Sequence, residues 1–134
     1  MKARRDAYMI QSLINNKNYN SSVVMGYEAA GYILSFGREV TTPYTPIVDV
    51  NKEYIIRDEE TGILYTNPVR TFCDLLNRDE FVTGEQFEIC VNILEHYIET
   101  GIGEDALYKE AQKLVPSNIL DANWEDLHNF YDYQ

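Results

Sequence analysis

Little in this chain offers itself for chemistry. Its 134 residues include only two cysteines, two histidines and one tryptophan. No stretch approaches the roughly 18 apolar residues that a membrane-spanning helix needs, so a membrane protein of that kind is excluded. The opening Met1-Lys-Ala-Arg-Arg-Asp-Ala-Tyr8 has no apolar core of a secretory signal, and a cytoplasmic location is expected. Cys73 and Cys90 fall on the inward faces of predicted helices and read as buried, reduced thiols, not as a disulfide scaffold. The histidines, His96 and His128, belong to no His-x-x-x-His, Cys-x-x-Cys or EF-hand pattern, and a metal site needs three or four converging ligands. There is no Gly-x-Ser-x-Gly, no P-loop and no Gly-x-Gly-x-x-Gly; Gly101-Ile-Gly103 lacks both the third glycine and a preceding strand. Asp49-Val-Asn-Lys52-Glu53 has the residue types of a metal-dependent nuclease strand, but Lys52 precedes Glu53, against the Glu-x-Lys order. No catalytic, cofactor-binding or metal-ligating residue is assigned, and the chain is expected not to be an enzyme.

What is abundant is acid, and it is unevenly placed. Residues 1–78 hold nine acidic and nine basic side chains and are neutral. Residues 79–134 hold 13 acidic side chains against Lys109 and Lys113, and this half alone accounts for the net charge of −11. Such a surface repels nucleic acid and attracts a basic partner, while keeping the protein soluble. Residues 1–20 carry Lys2, Arg4, Arg5 and Lys17 against Asp6, a small basic patch too short for a winged helix-turn-helix. Nucleic-acid binding by this chain alone is not expected.

The chain reads as one domain over 1–134, with helices and a small sheet in 1–66 and a helical acidic half in 67–134. Residues 2–16 have a rough apolar stripe at helical spacing, followed by a polar break at Asn15–Asn20. A second helix is predicted from a Ser21 or Ser22 cap through Phe36, stopped by Gly37. Pro43 and Pro46 place Thr41–Tyr44 in loop or sheet edge, and Pro46–Val50 and Glu53–Arg57 read as strands. Asp58–Gly62 is a turn that pairs Glu53–Arg57 with Ile63–Thr66 as an antiparallel hairpin. Helices are predicted over 67–78, 83–100, 104–114 and 119–132, separated by Gly101, Gly103 and Pro116. The expected fold is α+β: a small, mostly antiparallel sheet of three or four strands flanked by helices.

The junction at Asn67 is specified most fully. Asn67 suits the N-cap, and Pro68 the first helical position, where its missing N–H costs nothing. Phe72, Leu75 and Leu76 follow at helical spacing to form one buried face, and Arg70 and Asp74 stand one turn apart on another. Thr71 assists at the first turn. These polar residues are expected to fix the strand–helix junction.

The order Asn67-Pro-Val-Arg-Thr-Phe-Cys-Asp-Leu-Leu76 resembles the Ser/Thr-Pro-Glu-Arg-Thr-Leu-x-Asp-Leu/Cys-Leu signature of the AbiEi family, antitoxins of abortive-infection (type IV) toxin–antitoxin systems. Pro68, Arg70, Thr71, Asp74 and Leu76 match, Phe72 replaces Leu conservatively, and Val69 departs from the usual Glu. The likeness covers residues 67–76 well and 22–115 loosely, without the family's N-terminal winged helix. It implies a cytoplasmic phage-defence protein that neutralises a nucleotidyltransferase-type toxin. Contact with a basic toxin surface is expected from the acidic half, where Asp79, Glu80, Glu85, Glu88, Glu95 and Glu99 present charge and Tyr131 and Tyr133 supply aromatic anchors. The alternative is an acidic phage or mobile-element inhibitor of a nucleic-acid-binding defence enzyme.

Overall fold

The computed structural model describes residues 24–34, 36, 46–47, 50–59, 62, 64–77 and 84–132. The predicted helix over 2–16, its polar break and the basic N-terminal patch lie outside the described residues, as do Thr41–Tyr44 and Gly37. In chain order the elements are β1 (Val24–Met25), α1 (Tyr27–Ile33), β2 (Pro46–Ile47), a 3-10 turn (Lys52–Tyr54), β3 (Ile55–Arg57), β4 (Leu64–Thr66), α2 (Pro68–Leu76), α3 (Gly84–Glu99), α4 (Glu104–Gln112) and α5 (Ser117–Asp132). The fold is α+β.

Four short strands form a sheet in the order β2-β1-β4-β3. β3 and β4 are the expected hairpin, with Ile55 opposite Thr66 and Arg57 opposite Leu64. Its turn closes through the Gly62 N–H, which donates to the Asp58 carbonyl at 2.8 Å. β1 pairs antiparallel with β2 and parallel with β4, Val24 standing opposite Leu64. Pro46 lies in β2, an edge strand, where a proline without an N–H is tolerated.

Two expectations are corrected here. The helix predicted from Ser21 or Ser22 to Phe36 is a strand at Val24–Met25 followed by a short helix at Tyr27–Ile33. Val24 and Met25 suit helical spacing, but both are buried in the middle of the sheet, and their pairing with β2 and β4 outweighs the local pattern. Tyr27 turns the chain from strand to helix with a left-handed φ of 53°, uncommon for a bulky side chain. The helix is closed by the Phe36 N–H donating to the Gly31 carbonyl at 2.8 Å. The strand predicted over Glu53–Arg57 begins only at Ile55, because Lys52–Tyr54 form a 3-10 turn.

The core belongs mainly to the helices. Phe72, Leu75 and Leu76 of α2 pack with Ile89, Ile93 and Leu94 of α3, Leu107 and Ala111 of α4, and Leu120 and Leu127 of α5, all fully or almost fully buried. Cys73 and Cys90 are free thiols within this core. α2 touches β4, α1 and each of the other three helices, so the motif-bearing helix is the hub of the domain. Gly101 and Gly103 both have positive φ (82° and 94°), and the Gly103 N–H closes α3 by donating to the Tyr97 carbonyl at 2.9 Å. Among the described residues, no helix is long and apolar enough to cross a membrane.

Candidate functional site

Two groups of polar residues stand on this frame: the β4–α2 junction and the outer face of α3. At the junction the Asn67 side-chain oxygen accepts from the Arg70 backbone N–H at 2.9 Å, while its own backbone N–H donates to the Tyr54 carbonyl at 2.9 Å. The N-cap therefore also anchors the 3-10 turn that precedes β3. Pro68 opens α2. Arg70 Nε donates to Asp74 Oδ1 at 2.8 Å, with only 20% and 10% of the two side chains exposed. The Arg70 guanidinium also lies over the Tyr54 ring, 5.9 Å from its centroid, a cation–π contact with the same turn. Burial, and then the charge of Glu53, pushes the Tyr54 phenol above its ordinary value.

Beneath these, Thr66 and Thr71 are fully buried with their hydroxyl oxygens 2.7 Å apart. The Thr71 hydroxyl is also within 3.3 Å of the Thr66 carbonyl, which it can serve as donor. A buried hydroxyl without a partner is expensive, and this pair satisfies itself across the strand–helix step. Every polar side chain of the Asn67–Asp74 segment thus has a place in joining strand, turn and helix.

The α3 face is different in kind. Glu88, Asn92, Glu95 and Glu99 follow at intervals of four, three and four residues, which align them on one side of a helix. Glu88 and Glu95 are half-buried and Glu99 is exposed. A hydrogen bond between the Glu95 and Glu99 carboxyls, joined by partial burial and the charge of Glu99, raises the Glu95 pKa above the usual carboxylate value. Beside them, Asn92 Nδ2 donates to the Phe36 carbonyl at 2.7 Å, tying the end of α1 to α3. Phe36 meets His96 edge-on at 5.3 Å between centroids.

The outcome is an open hollow of about 320 Å³ lined by Phe36, Asn92, Glu95, His96, Glu99 and Thr100. It combines two acids, an imidazole, an amide and an aromatic wall. Such a set suits a cationic side chain better than an anion. Among the described residues, no group of three or more His, Cys, Asp or Glu side chains could hold a metal ion.

No family model, curated protein or solved structure matches the chain.

Of the residues singled out for partner contact, Glu95 and Glu99 share the hollow and Glu88 continues their stripe about two turns before Glu95. Tyr131 lies elsewhere, half-buried and packed against the helical core from α5. Asp79, Glu80 and Tyr133, and the side chain of Glu85, fall outside the described residues. Phe36, Asn92, His96 and Thr100 were not singled out. Asn92 could have been found from the stripe, since it sits midway between Glu88 and Glu95. Phe36 could not, because it reaches α3 across 56 residues of sequence.

Proposed function

We propose that this chain is an antitoxin-like protein that neutralises a nucleotidyltransferase-type toxin, offering the acidic face of α3 to a basic surface on it. The observation that carries the reading is the segregation of charge. The first 78 residues are neutral, the last 56 hold the whole net charge of −11, and Glu88, Glu95 and Glu99 line one helix face beside a hollow. A lysine or arginine entering that hollow would relieve the repulsion between Glu95 and Glu99. Carboxylates so placed would speed association with a basic partner and make it sensitive to salt. The toxin class comes from the likeness of residues 67–76 to the AbiEi signature. On this reading the chain acts in the cytoplasm, in defence against phage, and performs no reaction of its own.

The test is co-expression with the neighbouring gene. If that gene encodes a nucleotidyltransferase whose toxicity persists while this chain is expressed in soluble form, the reading fails. Reversal of Glu88, Glu95 and Glu99 to Lys should weaken rescue or pull-down and blunt their dependence on salt. Unchanged rescue by the triple variant would remove the α3 face from the mechanism. Competition by RNA or DNA for the same target would favour an acidic inhibitor of a nucleic-acid-binding defence enzyme instead.

A further inference from the structure

His128 joins two helices in a way that depends on its protonation. Its Nδ1 lies 2.9 Å from the backbone carbonyl of Trp124, one turn earlier on α5, and its Nε2 lies 2.8 Å from Glu104 Oε2, in the first turn of α4. A carbonyl oxygen only accepts a hydrogen bond, and so does an ionised carboxylate. Both contacts are made together when both ring nitrogens carry protons. A neutral ring has one N–H and can keep only one of the two contacts: serving Trp124 it turns a lone pair on the Glu104 carboxylate, and serving Glu104 it turns one on the Trp124 carbonyl and no longer pairs its charge with the acid. The side chains are partly screened, with 26% of His128 and 40% of Glu104 exposed.

The surroundings favour the charged form. Glu104 faces the ring from α4, and on α5 itself Glu125 stands three residues before it. Asp121, a further turn back, accepts from the Tyr108 hydroxyl of α4, and this bond raises the phenol's pKa. The ring partner of His128 is Trp124, at 5.0 Å between centroids. Tyr108 of α4 and Phe72 of α2 meet the same indole edge-on, and α3 contributes Phe87, which meets Phe130 of α5. The carboxylates of Glu104, Glu125 and Asp121 favour the imidazolium, and its charge against the indole adds a cation–π contact.

We propose that Glu104 and His128 form a pH-operated clasp that holds α5 against the first turn of α4 most tightly while the imidazole is doubly protonated and loosens when the ring becomes neutral. Because acceptors on both nitrogens favour the charged form, the clasp's contribution to stability is fully present below the ordinary histidine value of about 6.5. It is lost as pH rises through the higher value at which the folded ring gives up its proton.

Trp124 is the chain's one tryptophan, so it reports the clasp directly. A charged imidazole beside an indole quenches its fluorescence. Emission from the intact protein, titrated between about pH 5 and 9, should rise in a step with its midpoint above about 6.5. His128→Gln should abolish the step. Glu104→Gln, at a partly exposed position that leaves the core untouched, should move the midpoint down by about half a unit or more and reduce the loss of thermal stability between about pH 6 and 8. A midpoint at or below 6.5, a step that survives in His128→Gln, or a midpoint and stability profile unmoved by Glu104→Gln would each overturn the clasp.

Discussion

Replacing Thr71 by Val tests whether the β4–α2 junction is held by its hidden hydroxyls. The two residues have nearly the same shape, and both are β-branched with similar helix propensity, so packing and backbone preference change little. Lost are the acceptor 2.7 Å from the Thr66 hydroxyl and the donor 3.3 Å from the Thr66 carbonyl. Thr66 is fully buried, so its hydroxyl would be stranded in the core. Stranding one buried hydroxyl costs about 1–3 kcal/mol, and about 2 kcal/mol is expected for Thr71→Val. Thr66→Val should cost less, about 1 kcal/mol, because the Thr71 hydroxyl keeps the Thr66 carbonyl as its acceptor. The double variant strands neither hydroxyl and should cost about as much as Thr66→Val alone, well below the sum of the two. For a domain of this size 1 kcal/mol corresponds to about 4 °C in Tm, so Thr71→Val should melt about 8 °C lower. Urea or thermal unfolding of the four proteins completes the cycle. A Thr71→Val cost below about 0.5 kcal/mol, or single effects that simply add in the double variant, would refute the role given to the pair.

Three further perturbations probe other parts of the fold. Gly31→Ala would bring a Cβ within 2.8 Å of Ile89 Cδ1 and 2.9 Å of its Cγ2, so overpacking of about 1–3 kcal/mol should outweigh the helix-propensity gain of about 1 kcal/mol; adding Ile89→Val should restore part of the loss in unfolding experiments. Asn67→Ala removes the cap on Arg70 N–H and should cost about 1 kcal/mol in urea unfolding, whereas Asn67→Asp should cost clearly less. Burial pushes the Cys73 thiol up to about 12 and raises Cys90 as well, so the folded protein keeps protons that an unfolded chain releases above about pH 9. Stability should therefore fall as pH rises from about 9 towards 12, and a thiol reagent at about pH 8 should label Cys73 and Cys90 only as fast as the protein opens.

The second half of the chain was legible because its signals are local. Asn67-Pro68 marks a helix start, Gly101, Gly103 and Pro116 mark breaks, and apolar spacing marks the inward faces. The four helices lie within two residues of the predicted bounds at every end. The β3–β4 hairpin was legible for the same reason, its turn ending on Gly62. The first half was not. Val24-Met25 is too short to announce itself as a strand, and what makes it one is pairing with Leu64-Tyr65, forty residues away. In the candidate site, the alignment of Glu88, Glu95 and Glu99 follows from helix period alone. The hollow beside them depends on Phe36 reaching α3, which no local pattern states.

The parallel pairing of β1 with β4 also sets an order of events during synthesis. Leu64-Tyr65 leaves the ribosome about forty residues after Val24-Met25, so the earlier strand must wait unpaired on that side while the intervening chain emerges. Helices α2 to α5, by contrast, meet neighbours close in sequence and can settle as they appear. The earliest described segment of the chain is thus among the last to complete its pairing. A ribosome paused before Leu64 would hold a strand with half its partners missing, the stage at which the nascent protein most needs shielding.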